Sequence, residues 1–273
     1  MLRQYRPCII AFYVFAAAAL VFAAFFDLKL DVALYNPENA FAVWFRQTGE
    51  IPSRLICPVA GAFLCLLCKK RWQRVGGALL SLGGSAYLGY YLGKHFFVEE
   101  NRLVFSLLYG VGFGLCLLFI SRFINVPKKL KQPLIVLSLV AVAVMAAQLL
   151  LVEGGKALWG RVRFRDLSAA AGYAGFTPFY VINGFTGDKS FPSGHAAGAG
   201  MSFLAMFLPA LSRNCRKRQW ACFAVPFVYT GVVAYTRLVM GAHYLSDVTV
   251  GAVIAFSLTL AALAVYPKLV KEA

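Results

Sequence analysis

The amino-acid sequence predicts an all-α, polytopic membrane protein, a bundle of helices that crosses the lipid bilayer several times. Three observations support this: few charged residues, a series of long apolar runs, and basic clusters between alternate runs. Of the 273 residues, 60% are hydrophobic and 14% are charged, whereas a soluble domain carries about 25% charged residues. Apolar side chains in such excess require contact with lipid.

Eight apolar runs are long enough, or nearly so, to span a bilayer, which takes about 20 helical residues. We expect them to form one integral membrane domain over residues 1–273. The predicted spans cover residues 8–26, 51–68, 75–92, 103–120, 133–152, 195–211, 221–238 and 247–266.

The net charge of +16 does not indicate a nucleic-acid partner, because the basic residues form short clusters between apolar runs and therefore set the orientation in the membrane. With the N-terminus inside, the clusters that lie inside are Lys69, Lys70, Arg71, Arg74, then Arg122, Lys128, Lys129, Lys131, then Arg213, Arg216, Lys217, Arg218, and finally Lys268 and Lys271. The acidic residues that lie outside or at the outer boundary are Asp27, Asp31, Glu38, Glu50, Glu99, Glu100, Glu153, Asp166, Asp188 and Asp247. Both termini are thus predicted to be cytoplasmic.

Three groups of polar residues stand at the outer ends of predicted spans. They are Lys156 and Arg163 after the fifth span, Pro192-Ser193-Gly194-His195 at the start of the sixth, and Arg237, His243 and Asp247 between the seventh and eighth. Because the charge pattern puts all three groups on one membrane face, the sequence predicts a single outward-facing site.

Phosphate binding is the chemistry that these residue types favour. Lys156, Arg163 and Arg237 form a set of three cations, the cation cluster, suited to surround one phosphoryl group, since arginine matches phosphate oxygens in pairs and lysine acts as a point charge. Gly194 permits close approach of the backbone, and the amides of a helix N-terminus favour an anion. Ser193 adds a hydroxyl donor.

Two histidines are candidates for catalysis. His243 and Asp247 are four residues apart and share a helix face, so the carboxylate is expected to hold one ring N–H and leave the other nitrogen as a nucleophile. His195 is expected to protonate the leaving oxygen and then to activate water against a phosphohistidine. This route needs no metal or cofactor, and none is predicted.

Several other residues are less specific. Arg161 and Arg165 fit a topological role as well as a substrate-binding role, while His95 is interpreted as structural. The aromatic stretch 176–185 fits both a lip that admits a lipid tail and simple anchoring at the interface.

The three motifs, K-x6-R, P-S-G-H and R-x5-H-x3-D, together resemble the three-part signature of the type 2 phosphatidic acid phosphatase superfamily, which includes vanadium haloperoxidases and glucose-6-phosphatase. The resemblance covers roughly residues 150–255. It implies a six-helix core with two extra spans, placed at 75–92 and 103–120, and the catalytic part of the core is expected at about residues 133–266. It also implies a metal-free mechanism and a phosphohistidine on His243. The roles it implies are general acid for His195, orienting residue for Asp247, and phosphate contacts for Lys156, Arg163, Ser193, Gly194 and Arg237.

Two positions depart from the family pattern: Phe164 stands where proline is usual, and Thr236 where serine is usual. Neither departure removes a charged or nucleophilic group. Phe164 in place of proline is expected to change the shape of the turn in the first motif.

The sequence thus favours a lipid phosphate phosphatase of the bacterial cytoplasmic membrane, with undecaprenyl diphosphate, phosphatidylglycerophosphate and phosphatidic acid as equal candidate substrates and membrane lipids as its surroundings. A lipid phosphotransferase with the same site is the alternative. A transporter is disfavoured because the charges gather at span ends, and a haloperoxidase because those relatives are usually soluble. The sequence does not predict an oligomeric state.

Overall fold

A computed structural model describes residues 2–96 and 101–272, and every regular element within these ranges is a helix. The predicted all-α membrane fold class is confirmed. Glu99 and Glu100, which the charge pattern placed outside, and the side chain of His95 lie outside the described part of the chain.

Twelve α-helices follow one another in the described residues. They are α1 Arg6–Leu34, α2 Ala40–Thr48, α3 Ile51–Arg54, α4 Ile56–Leu67, α5 Arg71–Phe96, α6 Arg102–Ser121, α7 Lys128–Trp159, α8 Gly194–Gly200, α9 Leu208–Leu211, α10 Arg213–Lys217, α11 Ala221–Val239 and α12 Leu245–Glu272. Short 3-10 helices cover Leu2–Tyr5, Phe164–Asp166 and Met201–Phe207.

Seven helical segments of the described residues are long and apolar enough to cross a membrane. They are Leu2–Leu34, Ala40–Leu67, Arg102–Ser121, Lys128–Asp166, Gly194–Leu211, Ala221–Val239 and Leu245–Glu272. Seven of the eight predicted spans therefore have a counterpart. The remaining predicted span, 75–92, corresponds to α5. This helix is long enough to cross a membrane but is less apolar than the other seven, because glycine, serine and tyrosine occupy much of it.

Helix α5 packs between α4 and α6 through glycine contacts. A Cβ atom added to Gly77 would lie 2.5 Å from the backbone nitrogen of Cys65, and one added to Gly89 would lie 2.2 Å from the carbonyl oxygen of Ser106. Only glycine lets the backbones approach this closely. The glycine-rich composition of this helix is thus explained by packing.

The main apolar core lies where α1 and α12 meet the 3-10 helix Met201–Phe207. The rings of Phe12 and Phe256 are 4.1 Å apart between centroids, and those of Phe203 and Phe256 are 4.8 Å apart. These contacts hold α1 against α12. Helix α1 is longer than the predicted span 8–26, and its last two turns bring the acidic side chain of Asp27 to the start of α12.

The segment between α7 and α8 closes back onto the end of α7. Gly160 ends the helix with φ +49°, and a Cβ there would lie 2.2 Å from the carbonyl oxygen of Gly184. The amides of Asn183 and Gly184 then donate to the carbonyl oxygens of Trp159 and Leu158 at 3.0 and 3.1 Å. This closure brings the end of α7 next to the start of α8.

Candidate active site

His243 lies in the tight turn between α11 and α12, and it is 4% exposed. Gly241 makes the turn with φ +57°, at a position where a Cβ would lie 2.7 Å from the ring of Tyr35. The Nδ1 atom of His243 is 2.6 Å from the backbone carbonyl oxygen of Ser190. This contact fixes the tautomer with Nδ1 protonated, so that Nε2 carries the lone pair.

Asp247 does not hold the ring of His243 directly, which differs from the hydrogen bond expected between them. Its Oδ2 atom is 3.7 Å from Nδ1, beyond hydrogen-bond distance. The reason is that the carboxylate is occupied by other donors: the Arg161 guanidinium at 2.5 Å, the Ser190 hydroxyl at 2.5 Å and the Tyr244 amide at 3.0 Å. Asp247 thus acts on His243 through its charge and through Ser190.

Arg161 is fully buried and joins two acidic residues. It pairs with Asp247 at 2.5 Å and with Asp27 of α1 at 3.0 Å, and it donates to the carbonyl oxygen of Thr177. The Tyr244 ring covers its other face at 4.0 Å. Neither of the two roles left open for Arg161 fits this environment: the side chain is turned inward, and its donors are already taken by protein acceptors. It is a positioning residue for Asp247.

Burial lowers the pKa of His243 below that of a free imidazole, and the Asp247 carboxylate opposes this effect. The guanidinium groups of Arg163 and Arg237 lower the same pKa further. Since the ordinary value is about 6.5, His243 is uncharged at neutral pH. An uncharged imidazole with a free Nε2 is the form that can act as a nucleophile.

His195, in the first turn of α8, faces a carboxylate that the sequence did not identify as part of the site. Its Nδ1 atom is 3.1 Å from Oε1 of Glu50, which is buried between α2 and α3. Its Nε2 atom is 3.4 Å from the carbonyl oxygen of Arg46. Glu50 also accepts a hydrogen bond from Arg54, one helical turn later. The E-x3-R spacing at the start of an apolar run was the one signal in the sequence that pointed to this pair.

Arg54 connects Glu50 to helix α5. Its guanidinium lies 4.7 and 4.8 Å from the ring centroids of Tyr87 and Tyr91, and it donates to the Tyr87 hydroxyl at 2.7 Å. Helix α5 therefore supports the position of Glu50 as well as adding to the bundle.

The cation cluster surrounds the two histidines. The Nζ atom of Lys156 is 3.2 Å from the position that a Cβ on Gly194 would take, so the ammonium group lies close to the backbone at the start of α8. The Nε atoms of Arg163 and Arg237 are buried without a hydrogen-bond partner in the described residues. Because buried donors are normally paired, these two point to an absent acceptor.

The remaining predicted site residues are in the same place. Ser193 caps α8 by accepting from the Ala196 amide at 3.3 Å, and its own amide donates to the carbonyl oxygen of Asp247 at 3.0 Å. His195 is close enough to His243 and Arg237 for their charges to interact. The structure thus brings together all eight residues: Lys156, Arg163, Ser193, Gly194, His195, Arg237, His243 and Asp247.

The two departures from the family pattern are accommodated by packing. Phe164 is buried between the rings of Tyr35 and Tyr173, at centroid distances of 5.2 and 5.5 Å. Thr236 is buried and donates to the carbonyl oxygen of Val233 at 2.7 Å. The turn of the first motif therefore has an aromatic core.

The aromatic stretch 176–185 divides into two sets. Phe176 packs on the ring of Tyr244 at 5.4 Å and Phe179 on that of Phe191 at 6.5 Å, so both support the site from within. Tyr180 and Phe185 are 62% and 81% exposed. Arg165 stands at the rim, half exposed, 3.7 Å from Asp166.

At one end of the helical bundle, a buried, neutral histidine lies beside an aspartate, a second histidine and two arginines whose Nε atoms have no acceptor in the described residues. This arrangement defines a membrane protein with a site suited to an anion. Comparison with known proteins agrees: a model of the PAP2 superfamily matches residues 134–271. The chain belongs to the PAP2 superfamily, which confirms the resemblance seen in its three motifs.

A lipid A 4'-phosphatase from Bacteroides thetaiotaomicron is 44% identical to the chain over 77 residues, which are 28% of this chain and 31% of that protein. The chain thus spans less than a third of the length of this curated relative. No solved structure matches the chain significantly.

Proposed function

We propose that the protein is a membrane phosphatase that releases phosphate from a lipid phosphate or lipid diphosphate through a phosphohistidine on His243. The observation that carries the proposal is the environment of His243: a buried, uncharged imidazole held by Ser190 at 2.6 Å, beside two arginines whose buried Nε atoms have no acceptor in the described residues. Family membership and the relative that is named as a lipid phosphatase support the same class of activity.

In the proposed reaction, the two histidines act in turn. Nε2 of His243 attacks phosphorus, the bond from phosphorus to the leaving oxygen breaks, and His195 gives that oxygen a proton. Water then gives its proton to His195 and its oxygen to phosphorus, the bond between phosphorus and nitrogen breaks, and both histidines return to their starting forms. The cation cluster neutralises the oxygens of the transferred group throughout, a role that preorganised donors perform without a metal.

Lipid is the substrate class that the surroundings of the site support. The predicted candidates, undecaprenyl diphosphate, phosphatidylglycerophosphate and phosphatidic acid, are joined by a phosphorylated lipid A, since that is the substrate class in the relative's name. The exposed Tyr180 and Phe185 are placed to contact the lipid part beside the site.

A phosphate-release assay on purified protein tests the proposal. With a panel of these lipids in detergent micelles, we expect release of inorganic phosphate at an unchanged rate after a metal chelator is added. Activity that is lost on chelation and restored by a divalent metal would contradict the metal-free route. Transfer of phosphate to an added lipid or sugar hydroxyl in place of water would instead establish the phosphotransferase.

Glu50→Gln is expected to lower kcat by about tenfold or more, within the range of general acid catalysis, and to leave KM nearly unchanged. The buried Glu50 supplies the counter-charge for a protonated His195, and the amide cannot. With an aryl phosphate, whose leaving group departs without a proton, the loss should be much smaller. Glu38→Gln, an exposed residue of the same segment, is the matched control. Equal losses on alkyl and aryl substrates would show that Glu50 does not act through the acid.

We also propose that the site faces outward from the bacterial cytoplasmic membrane, with both termini inside. The separation of basic clusters from acidic residues supports this orientation. Single cysteines are placed at positions 188 and 217 of a cysteine-free protein. The cysteine at 188 should react with an impermeant thiol reagent in intact cells, and the cysteine at 217 only after lysis. The reverse pattern would place the site inside.

A further inference from the structure

Arg46 lies at the proton-donating side of the site, although no motif includes it. It belongs to α2, which Asn39 caps by accepting from the Ala42 amide at 3.0 Å. The carbonyl oxygen of Arg46 is 3.4 Å from Nε2 of His195 and also accepts from the Tyr91 hydroxyl at 3.3 Å. Because His195 protonates the leaving oxygen in the proposed function, Arg46 stands on the leaving-group side.

The side chain of Arg46 is half-buried and uncompensated. Its Nε atom is buried without a hydrogen-bond partner, and no carboxylate in residues 2–96 and 101–272 pairs with it. Its charge is close enough to interact with that of Arg237. Two like charges held near each other in a partly dry site repel, so an anion between them would stabilise both.

Other cations close to the site do have partners. Arg54 pairs with Glu50, Arg161 with Asp27 and Asp247, and Lys156 with the exposed Glu153 at 2.6 Å. In contrast, no carboxylate of the described residues forms an ion pair with Arg46, Arg163 or Arg237, and the Nε atom of each is buried without an acceptor, as that of Arg54 also is. Arg163 and Arg237 both interact with His243, the nucleophile of the proposed function, whereas the backbone carbonyl of Arg46 lies next to His195.

We propose that Arg46 binds a second phosphate carried by the leaving group, so that lipid diphosphates are the preferred substrate class. This inference rests on the proposed function, which defines the leaving-group side. The β-phosphate would lie between His243 and the cation cluster, and the α-phosphate, which stays on the lipid, would lie between His195 and Arg46. A monophosphate leaves the Arg46 guanidinium without its anion.

Paired substrates test the proposal: a polyprenyl diphosphate and the polyprenyl monophosphate of the same chain length, each with purified protein in detergent. Arg46→Gln is expected to lower kcat/KM for the diphosphate by about tenfold or more, the value of one charge-assisted hydrogen bond. The monophosphate value should change less than about twofold, since the Arg46 carbonyl beside His195 is kept. Arg46→Lys, which retains the charge, should keep most of the selectivity.

Lys29→Gln is the matched control, because Lys29 is an exposed cation on α1 that lies over the ring of Phe26. It should leave both substrates unaffected, and the monophosphate activity of Arg46→Gln shows that this variant is folded. Equal losses on both substrates in Arg46→Gln would overturn the proposal. Hydrolysis of the monophosphate but not of the diphosphate by the wild-type protein would also overturn it. The proposed function would still stand in that case. Failure to hydrolyse any lipid phosphate would end both.

Discussion

Replacing His243 with alanine is expected to abolish phosphate release, with a loss of at least about 10³-fold in kcat, as for other covalent nucleophiles. The loss is this large because water would have to attack phosphorus directly, although the cation cluster is still in place. The protein should still fold, because the Gly241 turn and the buried ion pairs of Arg161 that hold this region do not involve the imidazole. Release of inorganic phosphate under single-turnover and steady-state conditions measures the effect.

A covalent intermediate gives a more direct measurement of the same prediction. Wild-type protein mixed with a ³²P-labelled lipid phosphate and quenched in alkali, in which phosphohistidine survives, should retain label on the protein, and His243→Ala should retain none. Tyr244→Phe is the control, because its buried hydroxyl has no hydrogen-bond partner in the described residues and its ring keeps its contact with Arg161. Label on the His243→Ala protein would move the nucleophile elsewhere.

The residues of the three motifs could be brought together from the sequence because two kinds of information agreed. Side-chain chemistry selected Lys156, His195 and His243, and the alternation of basic clusters put all of them on one membrane face. Separation along the sequence did not limit this inference, because each span crosses the whole membrane and the two ends of a span therefore lie on opposite faces.

The support of the site could not be predicted in the same way. Ser190 holds His243 by a backbone carbonyl, and every residue has one, so the sequence carries no sign of it. Arg161 and Asp27 meet across 134 positions of the chain, which neither helical spacing nor the membrane pattern could reveal. Glu50 was assigned to the outer boundary by its charge, whereas the structure buries it beside His195.

The number of spans shows where composition reaches its limit. Helix α5 has 26 residues, and its contacts with α4 and α6 depend on glycines that lower its apolar character. Close approach of helix backbones through small residues stabilises a helix in a bundle without large apolar side chains, so packing can replace hydrophobicity. The length of the run 75–92 correctly predicted a helix, whereas its apolar composition indicates only how favourable its contact with lipid would be.

Arg161→Met is expected to destabilise the protein by about 3–5 kcal/mol, the cost of removing one partner from a buried ion pair, and to reduce activity strongly. Two buried carboxylates, Asp27 and Asp247, would lose the cation that joins them. Asp247 would then no longer hold Ser190 in place, and Ser190 holds His243. Thermal or denaturant unfolding of the protein in detergent, together with kcat, measures both effects.

Arg165→Met is the matched control, because the same substitution four residues later removes a half-exposed guanidinium whose only carboxylate contact in the described residues is Asp166 at 3.7 Å. Its cost should be about 0–1 kcal/mol, as for other exposed pairs. Asp27→Asn should fall between the two, since Arg161 keeps its contact with Asp247 and an amide can still accept from it. If Arg161→Met and Arg165→Met changed the free energy of unfolding equally, the buried network would not be what positions Asp247, and the support of His243 would have to come from Ser190 and the Gly241 turn alone.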